Sequence, residues 1–147
     1  MVLESDPSRR ILLVDDTPLF LELEKRLLEG RGYVLDTATS ASEALSKVNL
    51  VRPQLVVMDQ QMPEMDGVEC CRIIKSDPNL QEIVVILVTE SRELNDVRQA
   101  LESGCDDFVM KPITDMVLIQ KVDAVFDPVR RRRSPRMPLK LDVEFTD

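Results

Sequence analysis

Four short, unbroken apolar runs set the narrowest limit on what this chain can fold into: "ILLV" at 11–14, "LVVM" at 55–58, "IVVILV" at 83–88 and "FVM" at 108–110. Each is too short for a packed helix and lacks the polar alternation of a strand with one wet face. A strand apolar at every position has both faces covered, as in a parallel sheet sandwiched by helices. "YVLDTA" at 33–38 is a fifth, weaker candidate. The segments between carry helical signals. Thr17-Pro18 offers an N-cap with proline in the first turn, and "LFLELEKRLLEG" spaces Leu19, Leu23 and Leu27 four apart before a stop at Gly30. Ser40 and Glu43 have the spacing of a capping box ahead of "ALSKVNL". "VECCRIIKSD" follows Asp66-Gly67, "ELNDVRQALESG" ends on Gly104, and "DMVLIQKVDAVF" follows Thr114 as a cap. Strand and helix thus alternate five times, which predicts an α/β fold: a doubly wound five-stranded parallel sheet, helices on both faces, right-handed crossovers.

The length of 147 residues suits one such domain plus a short appendage. Aromatic residues make up only 3%, so the core must be aliphatic. No apolar run approaches the roughly 20 residues of a membrane span, and "MVLESDPS" lacks a signal-peptide core, so the chain is expected to be cytoplasmic, with no membrane partner. Cys70, Cys71 and Cys105 have no metal-ligand spacing, and their odd number argues against a disulfide framework; they read as reduced thiols packed in or near the core. The chain has no histidine, which removes the commonest general base and metal ligand. Charge divides the chain: residues 1–126 hold 23 acidic and 13 basic side chains, whereas residues 127–147 hold 4 and 6. The expected organisation is a disordered stretch at 1–8, a folded unit at 9–126 and a basic linker at 127–147.

In an open parallel sheet, functional groups collect at the carboxyl ends of the strands. Asp15 and Asp16 follow "ILLV", Asp59 follows "LVVM", Thr89 follows "IVVILV", and Lys111 with Pro112 follows "FVM". Three crowded carboxylates repel unless they share a cation. Oxygen donors without His or Cys suit a hard ion such as Mg²⁺. A carboxylate can also attack phosphorus to give an aspartyl phosphate, a transfer that needs mainly positioning and charge neutralisation.

"LLVDD", "VVMDQQMPEMDG", "VTES" and "DDFVMKP", in this order and spacing, resemble the receiver domain of bacterial two-component response regulators over about residues 9–126. The resemblance implies a flavodoxin-like strand order, 2-1-3-4-5. It implies that Asp59 is phosphorylated by a sensor histidine kinase and that Asp15, Asp16, Asp59 and the backbone carbonyl of Gln61 hold Mg²⁺. Thr89 would contact the phosphoryl group, Lys111 would pair with it, and Phe108 would be the switch aromatic. Such a chain catalyses only its own phosphorylation and dephosphorylation and signals to a downstream effector, as a monomer or homodimer. The output face would be the fourth helix, last strand and last helix. Glu90 departs from the family, in which the residue after the threonine is usually small, and so leaves open a docking module that works without phosphorylation.

"RRRRSPRMPLKLDVEF" at 130–145 places five arginines and a lysine before its first acid. Arg131, Arg132 and Arg136 resemble the arginine motif that opens PilZ domains, which bind cyclic di-GMP, and "LKLDVEF" alternates like a first strand. The resemblance covers fewer than twenty residues; a plain basic linker is the competing reading. Nucleic-acid binding through the same arginines is a further reading, without any groove-reading element to support it.

Overall fold

A computed structural model of the chain describes residues 4–127. The elements alternate as expected: β1 (Arg10–Val14), α1 (Pro18–Leu28), β2 (Val34–Ala38), α2 (Ala41–Val51), β3 (Leu55–Asp59), α3 (Gly67–Ser76), β4 (Val84–Thr89), α4 (Leu94–Glu102), β5 (Asp107–Met110) and α5 (Asp115–Phe126). The strands form one parallel sheet in the order β2-β1-β3-β4-β5. β3 and β4 are buried at every position. The edge strand β2 is mostly half-buried, which is why "YVLDTA" carried the weaker signal.

Alternate strand residues feed two cores. Leu12, Val14, Val56, Met58, Val85 and Leu87 pack with α2, α3 and α4. Ile11, Leu13, Leu55, Val57, Ile86 and Val88 pack with α1 and α5. The sheet therefore separates three helices from two. A half-buried pair closes the first side: Lys75 Nζ lies 2.7 Å from Asp106 Oδ2 and donates to the Ile83 carbonyl at 2.6 Å. Cys70, Cys71 and Cys105 are free and buried there, and burial pushes the Cys70 and Cys105 thiols up to about 12. They are packing groups, as expected.

The caps show how the helices are started. Ser40 Oγ accepts from the Glu43 N–H at 3.0 Å, while the Glu43 carboxylate reaches the Thr39 N–H, one residue before the usual capping-box partner. Asp66 accepts from Glu69 N–H and Thr114 from Val117 N–H. Thr17 caps α1 without a side-chain bond.

In α1 the inward face differs from the spacing-four stripe. Leu19 and Leu23 are 65% and 49% exposed, whereas Leu21 and Leu28, seven apart, enter the core. Two helical turns separate that pair, so both lie on the line where the helix meets the sheet. The Leu23 and Leu27 flank turns sideways toward α5, where it walls a groove with Phe20, Ile113 and Leu118.

At the opposite edge from the strands' carboxyl ends, Tyr33 donates its hydroxyl to Asp123 of α5, Arg31 pairs with the same carboxylate at 3.0 Å, and Arg9 lies over the rings of Tyr33 and Phe126. Pro7 and Ser8 form a turn in which Arg9 N–H donates to the Asp6 carbonyl at 2.8 Å, and Asp6 N–H donates to the Gly32 carbonyl at 3.0 Å. No helix among the described residues is long and apolar enough to cross a membrane.

Candidate functional site

The carboxyl edge of the sheet gathers Asp15, Asp16, Asp59, Thr89 and Lys111. Asp59 is the last residue of β3 and Thr89 the last of β4; Asp15 and Lys111 directly follow β1 and β5. Asp15, Asp59 and Thr89 are buried and Asp16 is exposed. One carboxylate oxygen from each of Asp15, Asp16 and Asp59 lies within 4.8 Å of the others.

Lys111 is the cation of this group. Its Nζ lies 3.5 Å from Asp15 Oδ2, 3.6 Å from Asp59 Oδ2 and 3.9 Å from Glu90 Oε2. It also sits 4.7 Å over the Phe20 ring, a cation–π contact from α1. Burial alone would lower the Lys111 pKa, but Asp59 and Asp15 outweigh it and hold the ammonium charged. Asp59 is pushed up to about 6, first by burial and then by the charge of Asp15; Lys111 and the Gln61 N–H oppose the shift. One ammonium does not balance three carboxylates, and Asp59 Oδ1 is buried with no hydrogen-bond partner. This excess of hard oxygen donors, one of them unsatisfied, fits a divalent cation such as Mg²⁺.

The turn after β3 is held very close to its strand. Gly67 N–H donates to the Gln60 carbonyl at 2.8 Å, and a Cβ on Gly67 would lie 2.3 Å from the carbonyl oxygen of Asp59. Glycine is therefore required where α3 begins. Thr89 Oγ1 donates to Gln61 Oε1 at 3.1 Å and accepts from Ser91 N–H at 3.0 Å. Phe108 is half-buried and packs against the α2–α4 side of the core.

The structure thus brings the expected residues of the receiver site to one edge. Arg131, Arg132 and Arg136 lie outside the described residues. Sequence reasoning missed three nearby groups. The Gln61 side chain, not only its carbonyl, engages Thr89. Gln60 is buried beside Asp59. Glu24, one α1 turn beyond Phe20, points an unpartnered Oε1 into protein; burial, then Asp15, push its carboxyl up to about 8. Nothing in the pattern of α1 separates Glu24 from its exposed acidic neighbour Glu22.

Comparison with known proteins agrees with this geometry. Residues 11–123 match the family described as response regulator receiver domain. The DNA-binding response regulator MtrA of Mycolicibacterium smegmatis is 35% identical over 141 residues, covering 93% of this chain and 58% of that protein. Response regulator PleD of Caulobacter vibrioides is 36% identical over 133 residues, 86% of this chain and 29% of that protein. The chain therefore spans less than two thirds of the length of these curated relatives. Among solved structures, the receiver domain of a signal transduction histidine kinase from Syntrophus aciditrophicus superposes with a TM-score of 0.78 at 39% identity, covering 88% of this chain and 98% of that one. A CheY-like receiver domain protein from Methanospirillum hungatei gives 0.77 at 28% identity, covering 86% and 98%. Strand order, the acidic edge and the matched span lead to one assignment: this chain belongs to the receiver-domain family of response regulators.

Proposed function

We propose that the chain is a phosphorylation switch in which Asp59 accepts a phosphoryl group from a phosphohistidine of a sensor kinase. The observation that carries this reading is the Asp59 carboxylate itself, fixed at a strand end with Oδ1 free of hydrogen bonds and Lys111 at 3.6 Å from Oδ2. With a pKa of about 6, Asp59 is mostly ionised at pH 7 and available as a nucleophile. A carboxylate oxygen forms the new P–O bond, the P–N bond of the phosphohistidine breaks, and the freed imidazole takes a proton from solvent. Lys111 pairs with the incoming phosphoryl oxygens. The Thr89 hydroxyl exchanges Gln61 Oε1 for a phosphoryl oxygen, and Phe108 follows into the space so opened. Mg²⁺ held by Asp15, Asp16, Asp59 and the Gln61 carbonyl would supply the charge neutralisation that the transfer needs. The added charge of roughly −1.5 to −2 biases the β4–α4 loop between two arrangements, and a downstream effector reads the α4–β5–α5 face.

Intact-mass measurement after incubation with Mg²⁺ and acetyl phosphate tests the reading. One added phosphoryl group is expected, absent in Asp59→Asn and under EDTA. A second reading, a docking module that works unphosphorylated, draws support from Glu90, whose carboxylate shares Lys111 with Asp59. It gains if no adduct forms and beryllofluoride, which does not hydrolyse as an acyl phosphate does, also leaves the protein unchanged. For residues 127–147, the spacing of Arg131, Arg132 and Arg136 supports cyclic di-GMP binding in a longer chain. Calorimetric titration of such a chain with cyclic di-GMP tests that, and heat no greater than dilution rejects it.

A further inference from the structure

The two amides that follow Asp59 tie the β3–α3 turn to the loop between β4 and α4. Gln61 Oε1 accepts the Thr89 hydroxyl at 3.1 Å and faces the Glu90 N–H at 3.5 Å. A backbone N–H points at an acceptor, so the oxygen end of this amide is the one turned to the loop. Thr89 is fully buried, and its Oγ1 already accepts the Ser91 N–H at 3.0 Å. Shut away from water, its single proton goes to Gln61. Gln60 anchors the other end of the same loop: its Nε2 donates at 3.2 Å to the backbone carbonyl of Asp96, in the first turn of α4. Asp96 Oδ2 in turn accepts the Ser91 hydroxyl at 2.5 Å. Turn, loop and helix form one closed circuit, running from Gln61 through Thr89, Ser91 and Asp96 back to Gln60.

We infer that Gln61 is a positioning residue whose side chain holds Thr89 in its resting place and so sets how readily the unphosphorylated protein switches. This role presupposes that Asp59 accepts the phosphoryl group as proposed. A hydroxyl donates to one acceptor at a time, so Thr89 cannot serve Gln61 Oε1 and a phosphoryl oxygen on Asp59 together. Reaching the phosphoryl group costs the Gln61 bond. Ser91, and through it Asp96 of α4, is bonded to the residue that moves. Removing the Gln61 acceptor therefore destabilises only the resting arrangement, because in the other one the hydroxyl has already left it. A neutral hydrogen bond of ordinary strength corresponds to about a fivefold change in such an equilibrium. Gln61 is exposed and belongs to neither core, so its side chain can be exchanged without disturbing the packing, and its backbone carbonyl is retained.

The test compares the isotope-labelled full chain with Gln61→Leu, Thr89→Val and the double variant, each saturated with Mg²⁺ and titrated with beryllofluoride by NMR. In the wild-type chain, beryllofluoride should carry the Val97 amide and Phe108 ring signals from a resting to a bound position. Gln61→Leu without beryllofluoride should already lie part of the way along that line, and should bind beryllofluoride about fivefold more tightly. In the Thr89→Val background the same substitution should change the affinity by less than about twofold, an outcome that a merely structural role for Gln61 does not produce. The inference is overturned if the Gln61→Leu signals stay at the resting position or leave the line, if its affinity is unchanged or weaker, or if the gain persists with Thr89→Val. A wild-type chain that does not respond to beryllofluoride fails as a switch, and the role of Gln61 falls with it. A wild-type response beside an unmoved Gln61→Leu overturns the role of Gln61 alone.

Discussion

Replacing Glu24 by glutamine should stabilise the fold, and by an amount that depends on pH. Burial, then the charges of Asp15 and Asp59, raise the Glu24 pKa from 4.5 to about 8, partly offset by Lys111. The folded chain therefore holds this proton more tightly than the unfolded chain. The resulting stabilisation is fully present below pH 4.5 and is lost as pH rises toward 8. Glutamine keeps the shape and carries no proton to lose. At about 1.4 kcal/mol per pH unit, the variant should gain about 3 kcal/mol over wild type at pH 7, and the gain should shrink toward zero near pH 4.5. Urea unfolding of both proteins at several pH values between 5 and 8 measures the difference. Repeating the series with Mg²⁺ adds a second readout, since a cation on Asp15 and Asp59 removes part of the repulsion and narrows the gap. A gain below about 1 kcal/mol at pH 7, or one that does not change with pH, would refute the reasoning.

Other perturbations have equally definite outcomes. Gly67→Ala drives a methyl into the Asp59 carbonyl and should cost about 1–3 kcal/mol in urea unfolding while lowering acetyl-phosphate labelling of Asp59. Lys75→Met removes the cation beside the half-buried Asp106 carboxylate, which keeps the Val85 N–H, and should cost about 1–3 kcal/mol by the same unfolding assay. Ser40→Ala removes the α2 cap and should cost about 1 kcal/mol, with helix content at 25 °C unchanged by circular dichroism. Thr89→Ala should leave Mg²⁺ binding intact but uncouple labelling of Asp59 from any NMR shift at Phe108, since the hydroxyl that would follow the phosphoryl group is gone.

The strands were legible because parallel strands buried on both faces have no polar alternation to confuse them, and the acidic edge followed once their carboxyl ends were located. Helix faces were less legible. In α1, leucines occur at 19, 21, 23, 27 and 28, so several stripes are available, and only the line of contact with the sheet selects Leu21 and Leu28. Away from the strand ends, buried and half-buried polar groups were not legible. Glu24, Gln60 and Lys75 look like surface residues in the sequence, and their surroundings come from groups distant along the chain: Lys111 near Glu24, Asp96 for Gln60 and Asp106 for Lys75. Such pairings come from topology, which periodicity does not encode.

The clamp at the far end of the sheet bears on how this protein can be watched. The chain has one tyrosine and no tryptophan, so Tyr33 is its sole ultraviolet emitter of any strength. That phenol is bonded to Asp123 and stacked near Phe126, the last residue of α5, at the edge opposite Asp59. Its emission reports how the final turn of α5 is seated. Cation binding among Asp15, Asp16 and Asp59 should pass without an optical signal. A change in tyrosine emission on phosphorylation would instead show that the event has crossed the whole domain to the point where residues 127–147 begin.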